Sequence, residues 1–83
     1  MENHMPNHKR RRLVQIHECV DDRGNPVVVE EYQTEVAFAP LSGPLEWRKS
    51  ARDLITDSGD PVNFVSEGVF QLVLTDMIVR VES

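Results

Sequence analysis

The feature that most constrains the fold of this chain is an alternation of apolar and polar residues with a period of two. It is clearest in the segment "VVVEEYQTEVAFA", which begins at Val27. Successive side chains of a strand point to opposite faces, so every second residue shares a face. One face of this segment carries Val28, Glu30, Tyr32, Thr34, Val36 and Phe38. The alternation and the many β-branched residues together predict a long strand.

A second alternating segment begins at Leu13. One of its faces is predicted to carry Val14, Ile16 and Val20, and the other to carry Gln15, His17 and Cys19. Glu18 interrupts the apolar pattern, which is typical of an edge strand. The intervening "DDRGNP" predicts a loop, because Gly24 can adopt a positive φ and Pro26 ends the turn. The two segments therefore predict an antiparallel hairpin of long strands.

The rest of the chain consists of shorter elements separated by turn residues. The prolines and glycine of residues 40–45 predict a connector. Residues 45–55, "LEWRKSARDLI", fit a strand face and, nearly as well, a helix face, and their short length favours a strand. Two more strands are predicted at residues 69–75 and 77–81, joined by a tight turn. The overall prediction is an all-β fold of about five antiparallel strands, in a curled sheet or a small open barrel.

The acidic stretch "TDSGDPVNFVSEGVF", residues 56–70, raises the question of a metal site. A calcium loop of the EF-hand type needs oxygen ligands at positions 1, 3, 5, 7, 9 and 12 and glycine at position 6. Counted from Asp57, proline stands at position 5 and valine at positions 6 and 9. Turn chemistry fits better, because Gly59 can adopt a positive φ and Pro61 fixes its own φ. We therefore interpret the stretch as turns between strands and expect no metal.

The C-terminal part of the chain, residues 54–81, carries a pattern of turn and strand residues. "TDSGDPVN" is followed by Phe70, by Thr75 and by a closing "VRV". This order resembles a group of small bacterial proteins with a "DGxPVN...F...R" pattern and no established activity. The chain departs from that pattern by the inserted Ser58 and by "TDM" in place of a Thr-Gly turn. The resemblance implies a compact, β-rich bacterial module and assigns no catalytic residues.

Length and charge limit what such a chain can be. Its 83 residues make one small domain, which we assign to residues 13–83. A domain of this size buries only about 60% of its extended surface, so a homodimer would help to stabilise it. Residues 1–12 are predicted to be a disordered, flexible basic tail with a net charge of +3, against −8 for the rest. Only the tail is therefore expected to attract nucleic-acid phosphates.

Cysteine usage and hydropathy indicate the setting of the protein. Cys19 is the only cysteine, so the chain contains no internal disulfide, which favours a reducing, cytoplasmic environment. The basic run is followed by "LVQIHECV", which His17 and Glu18 interrupt, and this does not match a secretory signal. No stretch approaches the eighteen or so apolar residues of a membrane span. We predict a soluble, cytoplasmic protein.

The candidate catalytic and metal-binding residues are few. Cys19 and His17 lie two positions apart, but a cysteine nucleophile also needs a base aimed at its sulfur and an oxyanion site. Zinc would require His4, His8, His17 and Cys19 to gather through a folded-back tail, at a spacing unlike that of zinc sites. There is no cofactor motif. We therefore expect binding rather than catalysis, without metal or cofactor.

Three kinds of binding remain open from the sequence. The first is a protein–protein interaction module, homodimeric and in contact through Tyr32, Phe38 and Trp47. The second is nucleic-acid binding through the tail, with Trp47 stacking on bases, although a lone tryptophan is more often a core residue. The basic residues of that tail are Lys9, Arg10, Arg11 and Arg12. The third is a phage-type inhibitor that mimics nucleic acid with an acidic face. That face would carry Glu30, Glu31, Glu35 and Glu46.

Overall fold

A computed structural model describes residues 8–38 and 43–82. These residues form six strands and no helix: β1 His8–Val20, β2 Pro26–Phe38, β3 Glu46–Thr56, β4 Val62–Ser66, β5 Val69–Leu72 and β6 Ile78–Val81. All strand pairs are antiparallel, in the order β3-β2-β1-β6-β5-β4. The sheet curls until β3 and β4 meet at a single bridge between Ile55 and Pro61. The predicted all-β, curled antiparallel fold is confirmed, with six strands rather than five.

The hairpin of β1 and β2 is the longest element of the sheet. Its pairing runs from His8–Ala37 at the open end to Val20–Pro26 at the turn. Asp21 organises that turn, because its Oδ1 accepts hydrogen bonds from the backbone N–H groups of Arg23 and Asn25. Gly24 has a φ of +81° there, a conformation that is sterically unfavourable for a residue with a side chain.

Residues 56–70 contain more structure than the turns that the sequence predicted. Gly59 does adopt a positive φ, and the Thr56 hydroxyl accepts a hydrogen bond from the backbone N–H of Asp60. The following residues, however, form β4, which pairs with β5 from Val62–Leu72 to Ser66–Val69. The interpretation as turns alone is wrong for residues 62–66, because pairing with β5 satisfies the backbone groups along one edge of this segment, and Val62 is buried.

The core lies on the face of the hairpin that the alternation did not predict. It is built from Cys19, Val29, Val62, Phe70 and Val79. Val14 and Ile16, which lie on the face that the alternation marked as apolar, are 44% and 53% exposed. A bulge at Val14 shifts the register between Leu13 and Gln15. Because of this extra residue, His8, Arg10 and Arg12 share a face with His17 and Cys19, and β4, β5 and β6 curl over that face.

Residues 8–12 belong to β1 and not to a flexible tail. Lys9, Arg10 and Arg11 pair with Val36, Glu35 and Thr34 of β2. The prediction of a disordered arm is therefore wrong for these residues, and its first seven residues lie outside the described part of the chain. The physical reason is that β2 offers partners to the cations: a carboxylate for Arg10 and an aromatic ring for Arg11.

β1 is an edge strand over only part of its length. β6 pairs with its last two residues, Cys19 and Val20, and the backbone N–H of Glu82 donates to the Glu18 carbonyl. From His8 to His17, its second edge has no strand partner within the described residues. The prediction of an edge strand is therefore wrong for Cys19 and Val20, which pair with β6. It is confirmed for the preceding residues, up to His17.

The molecule is elongated, with extents of 55 × 25 × 21 Å. One end is a three-stranded twisted sheet, which we call the ribbon: residues 8–15, 31–38 and 46–53. The other end, which we call the body, comprises residues 16–30 and 54–82 and holds the core. Within the described ranges, no helix has the length and apolarity needed to cross a bilayer.

Candidate functional site

The two ends of the molecule carry opposite charge. The body holds two basic and nine acidic residues, whereas the ribbon holds seven basic residues and four acidic ones. The basic residues of the ribbon are Lys9, Arg10, Arg11, Arg12, Arg48, Lys49 and Arg52. The sequence assigned only the first four to a basic arm, and the pairing of β2 with β3 brings the other three to the same end of the molecule.

Trp47 lies near the outer end of the ribbon, half-buried and outside the core. The register aligns it with Ala37 of β2 and, through Ala37, with His8 of β1. The guanidinium of Arg10 lies 4.0 Å from the centroid of its ring, and the imidazole of His8 lies edge-on at 6.3 Å. The expectation of a core tryptophan is therefore wrong, and the ring is stabilised by a cation–π contact instead.

Glu35 is an almost buried carboxylate in the middle of the ribbon. Arg10 Nε donates to its Oε1 at 2.6 Å, and Arg12 Nη1 lies 3.8 Å from its Oε2. Its side chain is only 10% exposed, so the two arginines offset the cost of removing its charge from water.

The expected acidic face does not exist as one surface. Glu31 and Glu35 point to the same face as Arg10, while Glu30 and Glu46 point to the opposite one, as the strand registers show. Glu31 and Glu35 also form ion pairs with arginine side chains. The prediction of a contiguous acidic surface is wrong, because adjacent residues of a strand face opposite ways.

Glu31 links all three strands of the ribbon where it meets the body. His17 Nε2–H of β1 donates to Glu31 Oε1 at 2.8 Å, and Arg52 Nη1 of β3 donates to Oε2. The His17 and Glu31 side chains are 15% and 14% exposed. These hydrogen bonds, first that of His17 and then that of Arg52, lower the pKa of Glu31, and partial burial opposes them.

Gln33 extends this polar network along β2. Its Oε1 accepts a hydrogen bond from Arg52 Nε at 3.2 Å. Its Nε2 donates to the carbonyls of Thr34 and Ala51 at 2.9 and 3.1 Å, and it approaches that of Ser50 at 3.4 Å. The β2–β3 register is irregular at this place, so one buried amide satisfies the backbone groups that the ladder leaves without partners.

A cleft of about 400 Å³ opens beside this network, where β3 and β4 separate beyond the Ile55–Pro61 bridge. Its residues form a polar floor, an apolar wall and a rim on the β4–β5 turn. The floor is His17, Glu31 and Arg52, the wall is Leu54, Phe64 and Phe70, and the rim is Glu67 and Gly68. The sequence reasoning missed this cleft, although it singled out His17. The sequence analysis did not predict β4, the strand that places Phe64 at the opening of the cleft.

Cys19 and His17 do not form a nucleophile and its base. The thiol is in the core, 2% exposed, and its Sγ lies 3.8 Å from the backbone carbonyl of His17, to which it donates. Burial raises the pKa of Cys19, which keeps the sulfur protonated. The imidazole of His17 is turned to Glu31 and packs against Phe70, with ring centroids 4.8 Å apart.

The three residues predicted to form a protein contact lie apart. Tyr32 is on the opposite face of the ribbon from Trp47, with the Arg11 guanidinium 4.1 Å from its ring centroid. Its hydroxyl donates to Glu30 at 3.0 Å. Phe38 is at the outer end of β2, 47% exposed. They therefore do not make one patch.

The residues that the sequence analysis considered as zinc ligands are also dispersed. His8 lies against Trp47 at the end of the ribbon, His17 is hydrogen-bonded to Glu31, and His4 is outside the described residues. Among residues 8–38 and 43–82, no three His, Cys, Asp or Glu side chains are grouped as a metal site requires.

Comparisons of the chain with protein-family models, with curated proteins and with solved structures each found no match. The class of protein that the fold and the site define is a small antiparallel β-module with a charged ribbon and a cleft at its base.

Proposed function

We propose that this chain is a small, non-enzymatic protein-binding module that forms a homodimer through the outer edge of β1. One observation carries the proposal. From His8 to His17 this edge has no strand partner among the described residues, and three apolar side chains beside it are exposed. Leu13, Val14 and Ile16 are 48%, 44% and 53% exposed. Unpaired backbone groups next to apolar side chains are a template for another strand.

Charge selects the direction of this pairing. In a parallel pair of β1 strands, the basic residues 9–12 of the two copies would lie side by side and repel each other. An antiparallel pair, centred between Leu13 and Val14, sets residues 9–12 of one copy against residues 15–18 of the other, which end in Glu18. It also lays each basic ribbon along the acidic body of the partner. Lysine and arginine on an edge usually discourage pairing, and here only the antiparallel arrangement avoids their repulsion.

The small core gives a reason for self-association. Six apolar residues are buried in the described chain, whereas eleven large apolar residues are at least 37% exposed. A domain of this size gains stability when a second copy covers part of that surface. Tyr32, which pairs with Leu13, lies one strand from the proposed joint, and Trp47 lies two strands away. Cys19, buried as a thiol, suits the reducing cytoplasm, where we place this module.

The proposal is tested by sedimentation velocity over a range of protein concentrations. We expect a dimer at micromolar concentrations, and Ile16→Lys should produce a monomer because it places a charge in the joint. Leu74→Lys is the matched control, since Leu74 is 69% exposed and lies in the turn after β5. A wild-type protein that stays monomeric at every concentration, or an equal effect of the two variants, would contradict the proposal.

A second candidate function is nucleic-acid binding by the ribbon. The observation that favours it is the gathering of seven basic residues on three paired strands, since an antiparallel β-ribbon can enter a groove of DNA. Oligonucleotide titration at two salt concentrations tests it, because counter-ion release makes such binding salt-dependent. Reversal of the charges of Arg48 and Lys49, both exposed, should abolish binding, whereas Ile16→Lys should preserve it.

A further inference from the structure

We propose that the cleft between β3 and β4 binds an extended segment of a partner protein that combines an apolar residue with neighbouring acidic residues. This inference rests on the proposed function of protein binding, but it concerns the gap between β3 and β4, the two end strands of the sheet order, and not the unpaired edge of β1.

The geometry of β3 and β4 favours a strand as the occupant. The two strands are joined by the turn at residues 57–60 and by the Ile55–Pro61 bridge, and they separate beyond it. In the described structure β3 pairs only with β2 along Glu46–Asp53, and β4 pairs only with β5. Both strands therefore present an unpaired edge to the cleft. A strand between them would receive backbone hydrogen bonds from both sides and close the sheet.

The wall of the cleft indicates an apolar side chain in that segment. Phe64 is 66% exposed, yet its ring is held against the buried Phe70, with centroids 6.3 Å apart and planes at 73°. Leu54 completes the wall. An exposed aromatic ring fixed over an apolar concavity resembles the anchoring pockets of protein interfaces. The volume of about 400 Å³ is also within the range of binding pockets.

The charges around the cleft indicate acidic neighbours. On the floor, Glu31 accepts a hydrogen bond from His17 and forms an ion pair with Arg52, so its charge is already compensated and the bottom of the cleft suits an uncharged side chain. The edge of β3 that leads away from the cleft carries Arg48 and Lys49, both exposed, whereas the rim of the cleft carries the single carboxylate of Glu67. Carboxylates on a segment laid along this edge would meet those cations, whereas lysines would be repelled.

The test is fluorescence anisotropy with synthetic decapeptides. The first probe has a central phenylalanine, valines at alternate positions and glutamates between them, and the second probe has lysine in place of each glutamate. We expect the acidic peptide to bind and the basic peptide to bind at least about tenfold more weakly. Equal binding of the two peptides, or no binding of either, would overturn the proposal.

Two variants locate the site. Phe64→Ala should weaken the binding of the acidic peptide by about tenfold or more, and Leu74→Ala should leave its affinity unchanged. The two residues are almost equally exposed, at 66% and 69%, so Leu74→Ala is a control for the loss of exposed apolar surface. An equal effect of both variants on affinity would contradict the proposed site. So would N-acetylphenylalaninamide binding as tightly as the decapeptide, because the strand edges would then contribute nothing.

The failure of this inference is distinguishable from the failure of the proposed dimer. Ile16→Lys should dissociate the dimer without changing peptide affinity, since residue 16 is not among those that line the cleft. Phe64→Ala should weaken the binding of the peptide without changing the sedimentation coefficient of the protein. If Phe64→Ala dissociated the dimer, a second copy would be the occupant and the assignment of a different partner would be wrong.

Discussion

His17 and Glu31 are joined diagonally across β1 and β2 by a hydrogen bond of 2.8 Å between Nε2 and Oε1. This bond marks the place where the apolar core of the body changes into the polar network of the ribbon. On one side the imidazole packs against Phe70, and on the other the carboxylate reaches Arg52. This pair of residues thus joins the body to the ribbon, and both side chains line the cleft.

The first prediction concerns acid stability. The pKa of Glu31 is lower in the folded chain than its ordinary value of 4.5. Its ionised form therefore stabilises the fold above that pH, and this contribution is lost as the pH falls through the lower, folded value. We expect the free energy of unfolding in urea to fall below about pH 4.5 in the wild-type protein, and to fall less steeply in Glu31→Gln.

Glu82→Gln is the control for this acid effect. Glu82 is exposed and has no ion pair within the described structure. Its removal should leave the pH dependence unchanged. If Glu31→Gln and the wild-type protein lost stability in parallel, the His17–Glu31 contact would not be the source.

The second prediction concerns the ribbon itself, with Trp47 as its only tryptophan reporter. Arg10→Ala removes both the guanidinium above the Trp47 ring and the closest partner of Glu35. We expect the tryptophan emission to shift to longer wavelength and the free energy of unfolding to fall by about 1–2 kcal/mol, because a nearly buried carboxylate loses a hydrogen bond. Arg12→Ala, whose contact is 3.8 Å long, should have less effect on both measurements.

The third prediction concerns the direction of the proposed dimer. In an antiparallel pair, residues near the two-fold axis meet their own copies, so Val14→Cys should form an intermolecular disulfide under mild oxidation. His8→Cys should not, because its two copies would lie on the order of 30 Å apart along the strands. Non-reducing electrophoresis measures both. Cys19 is buried and should not react. Equal cross-linking of the two variants would indicate a parallel pair or random collision.

The fourth prediction concerns Gln33. Its buried amide is hydrogen-bonded to backbone carbonyls of β2 and β3 and to Arg52. Gln33→Leu leaves these carbonyls without a donor, and we expect the free energy of unfolding to fall by about 1–3 kcal/mol. Gln15→Leu is the control, since Gln15 is exposed on β1. A change of less than about 0.5 kcal/mol in Gln33→Leu, measured by urea unfolding, would show that water replaces the amide there.

Part of this structure was predictable because it depends on local preferences. The alternation in residues 27–38 determined a long strand, and the glycines at positions 24 and 59 determined turns, since strand and turn preferences act over a few neighbouring residues. The strand at residues 46–56 was predictable for the same reason.

The tertiary structure decided which face of each strand is buried and what meets at the cleft. Both faces of β1 mix apolar and polar residues, so one bulge at Val14 and the curl of β6, β5 and β4 were enough to place Cys19 inside and Ile16 outside. Strand register, which joins residues far apart in the chain, brought Arg52 to Glu31 and Arg48 to the basic end of β1. A pattern within one strand contains no information about its neighbours, and for that reason the charged ribbon and the cleft beside Phe64 appeared only in three dimensions.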